Sequence, residues 1–162
     1  MNNQILVRDW MSSPVRVVEY DTSVADAYNM MMRMGIRRLP VVDEERLVGI
    51  VTLGDLREAR PSSAASLSIY ELNYLIAKLT VSDVMTHDPY VVTPLTPMQR
   101  AAHLMLEHKV SGLPVVDEEG KPVGIITETD MFRMLVDRWD SYMAQHAEPV
   151  LIYAPLGAEA HA

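Results

Sequence analysis

A short pattern with chemical potential occurs twice in the chain. Residues 49–55 read GIVTLGD and residues 124–130 read GIITETD. In both copies a Thr, and an Asp three residues later, follow an apolar extended run, which is the spacing of a capping box at a helix N-terminus. The same arrangement suits ligand chemistry, because the N–H groups of a helix N-terminus bind anions and a carboxylate there can accept both hydroxyls of a ribose. Capping alone explains one copy, whereas two copies facing a cleft favour a nucleotide site.

The residues before a second repeated segment differ between the copies. Arg37 and Arg38 precede the first of two identical LPVVD segments, and Ser111 and Gly112 precede the second. Small residues let a flat base approach the backbone, whereas arginines bind phosphate oxygens or stack on a base. A solvated basic turn is the other interpretation of the arginine pair. Five further basic residues are expected on the solvated surface: Arg33, Arg57, Lys109, Lys121 and Arg133.

The sequence contains no recognisable set of residues for enzymatic chemistry. The chain has no Cys, which excludes thiol catalysis, disulfides and Cys-ligated zinc. The sequence patterns of zinc proteases, phosphate-binding loops and serine hydrolases are absent. His103 and His108 are five residues apart on one predicted helix, so they do not share a face. The sequence therefore predicts a protein with no catalytic activity and no metal.

The composition is that of a globular chain with an acidic balance. Of its 162 residues, 49% are apolar and 22% are charged, and the formal net charge is −8. This charge argues against nucleic-acid binding, which requires a basic face. No apolar run reaches the length of a membrane span, and the first residues lack the pattern of a secretory signal. We expect a cytoplasmic protein with neither nucleic acid nor membrane as a partner.

The repeated segments occur in one order, which indicates a tandem duplication. VRDWM at residues 7–11 corresponds to VSDVM at residues 81–85, and the LPVVD and G-I-x-T-x-x-D patterns follow in both halves. We place the first repeat at 5–60, a linker with a short helix at 61–79, the second repeat at 80–138, and a helical extension with a tail at 139–162. The tail has no clear period and is assigned no role.

Each repeat is predicted to contribute a β-α-β-β-α unit. Residues 15–18 and 90–93 are the first strands, and apolar periodicity predicts helices that begin at Val24 and, with Thr96 as N-cap, at Pro97. The LPVV segments pair with the next apolar runs as hairpins, and the Thr of each G-I-x-T pattern opens the second helix. One such unit leaves a sheet face open. We therefore predict an α+β fold in which two repeats pack sheet to sheet about a pseudo-two-fold axis, with clefts between them.

Two helices extend beyond this unit. Ser68 and Glu71 form a capping box that predicts a short helix after a linker of small residues at 62–66. The final helix runs from Thr127 towards Pro149 and carries an apolar stripe longer than its own repeat requires. The stripe consists of Phe132, Leu135, Val136, Trp139 and Met143. Exposed apolar strips usually find a partner, so the alternative role is a dimeric assembly module with vestigial clefts.

Together these motifs resemble a tandem pair of CBS domains, the Bateman module. The matching elements are V-x-D-x-M, LPVVD with its preceding Arg-Arg or Ser-Gly, and G-I-x-T-x-x-D, each present twice within residues 5–138. The resemblance implies a non-catalytic regulatory module whose two clefts bind adenosine-containing ligands such as AMP, ADP or ATP, with S-adenosylmethionine less expected. It also implies a homodimer and a separate regulated protein.

The resemblance further implies site residues, because each cleft in the family combines both repeats. One cleft would consist of Thr86, Val91, Ser111 and Gly112 with Thr52 and Asp55. Its counterpart would consist of Ser12, Val17, Arg37 and Arg38 with Thr127 and Asp130. The aspartates are expected to bind ribose hydroxyls, the threonines ribose or phosphate, and the Ser-Gly backbone with a Val the base. The arginines would meet phosphate or crowd out the base, so the clefts are not expected to be equivalent, and the number that is occupied stays open.

Overall fold

The computed structural model describes residues 4–59 and 78–146, with side chains as far as Ser141. The predicted linker of small residues, the capping box that follows it and the C-terminal tail lie outside the described residues. Within the described ranges, no helix combines the length and the apolar character needed to cross a membrane.

The first repeat follows the predicted order of elements. They are β1 (Val18–Glu19), α1 (Val24–Met34), β2 (Arg38–Asp43), β3 (Arg46–Thr52) and α2 (Leu53–Glu58). Helix α1 begins where the Asp26 N–H donates to Ser23 Oγ (3.0 Å), and it ends at Gly35, whose φ of 64° is left-handed. A capping hydroxyl at one end and a glycine at the other explain these limits.

The second repeat has the same helices and the same hairpin of strands, and the strand that precedes them is not the counterpart of β1. Its elements are β4 (Thr86–His87), α3 (Met98–His108), β5 (Gly112–Val116), β6 (Pro122–Thr127) and α4 (Glu128–His146). Its predicted first strand is reduced to one bridge, between Val92 and Val115. The predicted start of α3 is wrong by one residue. Pro97 has extended backbone and is itself the N-cap, and Thr96 Oγ1 instead accepts a hydrogen bond from the Thr93 N–H (3.0 Å).

Each repeat forms its own sheet, and a segment of the other repeat pairs with the edge of that sheet. β1 is parallel to β2, β2 and β3 form an antiparallel hairpin, and β4 adds to β3 so that Thr86 pairs with Ile50. In the second sheet β5 and β6 form the hairpin, and Ser12 bridges to Ile125. The Ser12–Ile125 pair is the counterpart of the Thr86–Ile50 pair. The predicted α+β fold of two related halves is confirmed.

The turns of the two hairpins contact each other. The Leu47 N–H donates to the Gly120 carbonyl oxygen (3.1 Å), and Lys121 Nζ donates to Glu45 Oε1 (2.8 Å). The hydrogen bond and the charge of Glu45 raise the pKa of Lys121. Because this ion pair is exposed, it stabilises the fold little. The backbone hydrogen bond is the contact that ties β3 to the opposite turn.

The V-x-D-x-M segment of each repeat packs into the core of the other repeat. The Val7 N–H donates to the Thr96 carbonyl oxygen (2.9 Å), and the Val81 N–H donates to the Thr22 carbonyl oxygen (2.8 Å). Both valines are fully buried, Val7 in the second core and Val81 in the first. The motifs alone do not reveal this exchange, because a repeat shows which residues are equivalent but not which core they enter.

Equivalent positions build the two cores. The first core contains Val18, Val24, Ala27, Met31, Leu39, Val41, Val51, Leu56 and Val81. The second core contains Val7, Val92, Met98, Ala101, Met105, Leu113, Val115 and Ile126. The helical members of both clusters lie on the faces predicted from periodicity. Met34 differs, since it lies at the end of α1 and is exposed.

The aspartates of the V-x-D-x-M segments fix short 3-10 turns. The Leu6 N–H donates to Asp9 Oδ2 (3.0 Å), and the Thr80 N–H donates to Asp83 Oδ2 (2.8 Å). The backbone hydrogen bond from Thr80, and then that from its hydroxyl, lower the pKa of Asp83. Each Asp therefore has a local role that requires no ligand.

A methionine and a glycine meet closely at both crossings between the repeats. An added Cβ on Gly124 would lie 2.5 Å from Met11 Sδ and 3.2 Å from the Ser12 carbonyl oxygen. An added Cβ on Gly49 would overlap Met85 in the same way. Residues 7–12 and 81–86 are the two crossing segments, and they pass directly over β6 and β3 at these glycines. A residue without Cβ suits such a close approach.

We predict that Gly124→Ala destabilises the protein by about 1–3 kcal/mol, because the added methyl group forces Met11 and the Ser12 backbone to move. The matched control is Gly54→Ala in α2, where an added Cβ meets nothing closer than Thr52 Oγ1 at 3.4 Å. This control is expected to be as stable as the wild type or slightly more stable, since Ala favours helix. Urea unfolding of the three proteins measures the difference. Equal stability of Gly124→Ala and the wild type would contradict the close crossing.

Candidate functional site

Two clefts lie between the repeats, and both repeats line each of them. Cleft one has a volume of about 280 Å³. Its walls are Ser12, Val15, Arg16, Ile36, Arg37 and Arg38 from the first repeat, and Ile125, Thr127, Thr129, Asp130 and Arg133 from the second. The first wall follows the crossing segment and the start of β2, and the second follows the end of β6 and the start of α4. The cleft is therefore composite.

Cleft two is the counterpart on the other side of the pseudo-two-fold axis and has a volume of about 490 Å³. Its walls include Thr86, His87, Tyr90, Lys109, Ser111 and Gly112 from the second repeat, and Arg38, Ile50 and Thr52 from the first. The same elements build it with the repeats exchanged. The duplication thus produces two clefts of related construction but different side chains.

Most of the residues predicted for the sites line these clefts, and three do not. Asp55, Val91 and Val17, all of them described residues, line neither cleft. Val17 lies instead at a small separate cavity beside Glu19 and Lys121. Val91 is exposed, and its neighbour Val92 is the residue that bridges to β5.

The aspartates of the two T-x-x-D patterns are helix caps in this structure. The Thr52 N–H and Oγ1–H donate to Asp55 Oδ2 (2.7 and 2.8 Å), and the Asp55 N–H donates to Thr52 Oγ1 (3.2 Å). The Thr127 N–H and Oγ1–H likewise donate to Asp130 Oδ2 (2.8 and 2.7 Å). The capping interpretation of both patterns is confirmed, and each Asp uses one carboxylate oxygen for it.

The second oxygen of Asp130 is what distinguishes this residue. Asp130 is only 2% exposed, and its Oδ1 accepts a hydrogen bond from Arg133 Nη1 (3.1 Å). The Arg133 side chain itself is 67% exposed. A ligand hydroxyl that replaces Arg133 has to donate to Oδ1 in its stead, because a buried carboxylate oxygen left without a donor is costly. Asp130 therefore lines cleft one with Oδ2 used for the helix cap and Oδ1 paired with an exposed arginine.

Cleft one is strongly cationic although the chain as a whole is acidic. Four arginines line it, Arg16, Arg37, Arg38 and Arg133, against the carboxylate of Asp130. Burial and the neighbouring charge of Arg37 lower the pKa of Arg38, and Glu128 and Asp130 partly oppose this shift. Such a concentration of guanidinium groups suits phosphate oxygens.

Arg133 and Lys109, which were expected on the solvated surface, line cleft one and cleft two respectively. Arg16 and Tyr90 also line the clefts, although no motif singles them out. Arg133 lies one helical turn after Asp130 and so shares its face of α4, a signal that was available in the spacing. Tyr90 lines cleft two and stacks on His108 with ring centroids 3.7 Å apart. No sequence pattern marks that stacked pair. Among the described residues, no cluster of His, Asp or Glu is arranged to hold a metal.

Comparisons with known proteins agree with this architecture. The family model of the CBS domain matches residues 7–62 and again residues 81–137. A CBS domain-containing protein of Dictyostelium discoideum is 32% identical over 134 residues, which cover 82% of this chain and 92% of that protein. The chain also matches 22% of the length of an inosine-5'-monophosphate dehydrogenase of Korarchaeum cryptofilum, with 36% identity over 118 residues. Related sequences therefore occur both as small proteins and as parts of larger enzymes.

Solved structures of the same architecture contain adenosine compounds. The CBS domain pair of protein MJ0100, in complex with 5-methylthioadenosine and S-adenosyl-L-methionine, has a TM-score of 0.70 and 29% identity over 83% of this chain and 98% of that chain. CBSX2 in complex with AMP has a TM-score of 0.69 and 36% identity over 83% of this chain and 98% of that chain. With two matches of the family model and two interlocked repeats of the same architecture, the chain belongs to the CBS domain family.

Proposed function

We propose that the chain is a non-catalytic regulatory module that binds adenosine-containing ligands, with AMP, ADP or ATP as the preferred class. The observation that carries this proposal is the construction of cleft one. It brings the buried carboxylate of Asp130, whose Oδ1 pairs with an exposed arginine, into the same cleft as four arginines from both repeats. A carboxylate for a sugar diol beside cations for phosphate is the chemistry of a nucleotide site.

The polarity of cleft one favours anionic ligands within this class. Arg37 and Arg38 line this cleft from the start of β2, and Arg133 lines it from α4. A phosphate placed among them gains charge-assisted hydrogen bonds. The sulfonium and ammonium groups of S-adenosylmethionine would meet like charge there. AMP, ADP and ATP are therefore favoured over S-adenosylmethionine in this cleft.

Cleft two offers different groups to the same class of ligand. It contains the hydroxyls of Thr52, Thr86 and Ser111 and the ring of Tyr90, with fewer cations than cleft one. A base can lie against the aromatic ring or the Ser111–Gly112 backbone, and the hydroxyls can bind a sugar. The ligands of MJ0100 and CBSX2 support adenosine compounds as the class, although those ligands belong to those proteins.

The regulatory step follows from the composite walls. A ligand that contacts both repeats binds one relative arrangement of the repeats better than others, and it shifts the population towards that arrangement. A separate protein that contacts both repeats can detect this shift. The module therefore needs no reaction of its own to transmit the presence of the ligand.

Isothermal titration calorimetry tests ligand binding directly. We expect heat of binding with AMP, ADP or ATP and a weaker response with S-adenosylmethionine. Absence of heat with all four ligands at millimolar concentration contradicts the proposed function.

We predict that the wild type binds AMP more tightly than 2'-deoxy-AMP by about 1.5–3 kcal/mol, the value of a hydrogen bond to a charged group. In Asp130→Asn this discrimination is expected to fall substantially, because the carboxylate that accepts the hydroxyl is gone. The comparison of two ligands in one variant cancels the change in net charge. Calorimetric affinities of both ligands for both proteins provide the measurement.

The matched control is Asp83→Asn. Asp83 caps its own turn through the backbone and hydroxyl of Thr80, as Asp130 does through Thr127, but it lines neither cleft. Both variants lose a cap, and only Asp130→Asn is expected to lose the discrimination between the two ligands. An equal loss in both variants would show that Asp130 acts only on the fold.

A second candidate function is assembly through α4, and the exposure of its apolar stripe favours it. Phe132, Leu135, Val136 and Trp139 are 55–65% exposed. Trp10, Phe132 and Val136 line an open groove of about 500 Å³ between the crossing segment and the helix. A second copy presenting the same stripe would bury apolar surface on both partners.

We predict that the wild type sediments as a dimer and that the double variant Phe132→Gln, Leu135→Gln shifts it towards monomer. The control is Leu106→Gln on α3, which removes a single exposed leucine (78% exposed) outside the stripe and leaves the dimer intact. Sedimentation velocity over a range of concentrations is the measurement. A wild type that is monomeric throughout, or a double variant that remains dimeric, excludes assembly through this face.

A further inference from the structure

The two repeats differ at one pair of equivalent positions that meet between the repeats. Arg38 is the first residue of β2, and Gly112 is the first residue of β5. The side chain of Arg38 crosses to the second repeat, where its Nη2–H group donates to Ser111 Oγ. An added Cβ on Gly112 would lie 3.1 Å from Arg38 Cδ and 3.3 Å from Arg38 Nε. The arginine of one repeat thus lies over the glycine of the other at close range.

Arg38 is shared by the two clefts. It lines cleft one together with Arg37, Thr127 and Asp130, and it also lines cleft two together with Ser111. No other described residue lines both. In the present structure its guanidinium group covers the Ser111–Gly112 wall of cleft two, the backbone that a base would approach. A ligand that uses the part of the wall beneath this side chain has to displace Arg38.

The surroundings of Arg38 favour its transfer to an anion. It is half-buried, its immediate neighbour is the cation Arg37, and its hydrogen-bond acceptor at cleft two is the neutral hydroxyl of Ser111. The carboxylates of Glu128 and Asp130 attract it from the side of cleft one. A phosphate group in cleft one would add negative charge on that same side. A guanidinium group binds phosphate far better than it binds a hydroxyl.

We propose that Arg38 couples the two clefts: a phosphate-bearing ligand in cleft one draws its guanidinium group away from Ser111 and uncovers the base-binding wall of cleft two. This inference rests on the proposed nucleotide binding and adds a relation between the two sites. By reciprocity, a ligand that displaces Arg38 from cleft two releases it for phosphate in cleft one. Binding is therefore positively cooperative for ligands that carry phosphate. Adenosine, which has no phosphate, binds without cooperativity.

Calorimetric titration of the full chain with ADP, and separately with adenosine, tests the coupling. In the wild type we expect two ADP sites. The microscopic affinity for the second ADP is expected to exceed that for the first by at least about fivefold, the lower range of allosteric coupling. Arg38→Ala is expected to bind ADP at two independent sites. Ser111→Ala, which removes the acceptor and disturbs the fold less, is expected to reduce the cooperativity in the same direction.

The matched control is Arg37→Ala. Arg37 lines cleft one but not cleft two, so its loss weakens binding in cleft one and leaves the cooperativity in place. Independent ADP sites in the wild type, or equal cooperativity in wild type and Arg38→Ala, overturn the coupling while the nucleotide-binding function stands. Equal cooperativity with ADP and adenosine also overturns it, because phosphate would then have no role. Absence of binding by either ligand to any of these proteins overturns both the function and the coupling.

Discussion

The exchange of crossing segments between the two repeats is the constraint on which the rest of the structure depends. Val7 completes the second core and Val81 completes the first, and Met11 and Met85 pass directly over Gly124 and Gly49. The core of each repeat is therefore completed by a residue of the other repeat. The same segments place Ser12 beside Ile125 and β4 beside β3, so the exchange that fills the cores also gives both clefts two walls from different repeats.

The backbones of the two repeats are nearly symmetric, but the side chains that line the two clefts are not. Most backbone pairings and core positions recur in both halves, since they serve the fold in both. The positions before LPVV serve the clefts, and there Arg37 and Arg38 stand opposite Ser111 and Gly112. The consequence is one cationic cleft and one that is more neutral, with Arg38 reaching across the axis into both. Gly112 matters to this arrangement because a side chain there would crowd Arg38.

The sequence was sufficient to predict the elements and the general location of the clefts, because the repeated Thr and Asp residues are also local caps that fix the strand-to-helix junctions. It was not sufficient for relations between segments that are distant in the chain. The repeated V-x-D-x-M motif marks Val7 and Val81 as equivalent but does not show that Val7 enters the second core. It also says nothing of Arg38 reaching Ser111, or of Tyr90 stacking on His108. Arg133 was placed on the surface, although its spacing from Asp130 on the predicted final helix puts both residues on one face.

A crystal structure of the protein grown with AMP tests the central claim most directly, because it shows where the ligand lies and which repeats contact it. The composite clefts predict electron density for the nucleotide between the start of β2 and the start of α4, with ribose hydroxyls at hydrogen-bonding distance from Asp130 and the phosphate among the arginines. Density for AMP that contacts only one repeat, or that lies outside both clefts, would contradict the claim that the interface between the repeats is the binding site.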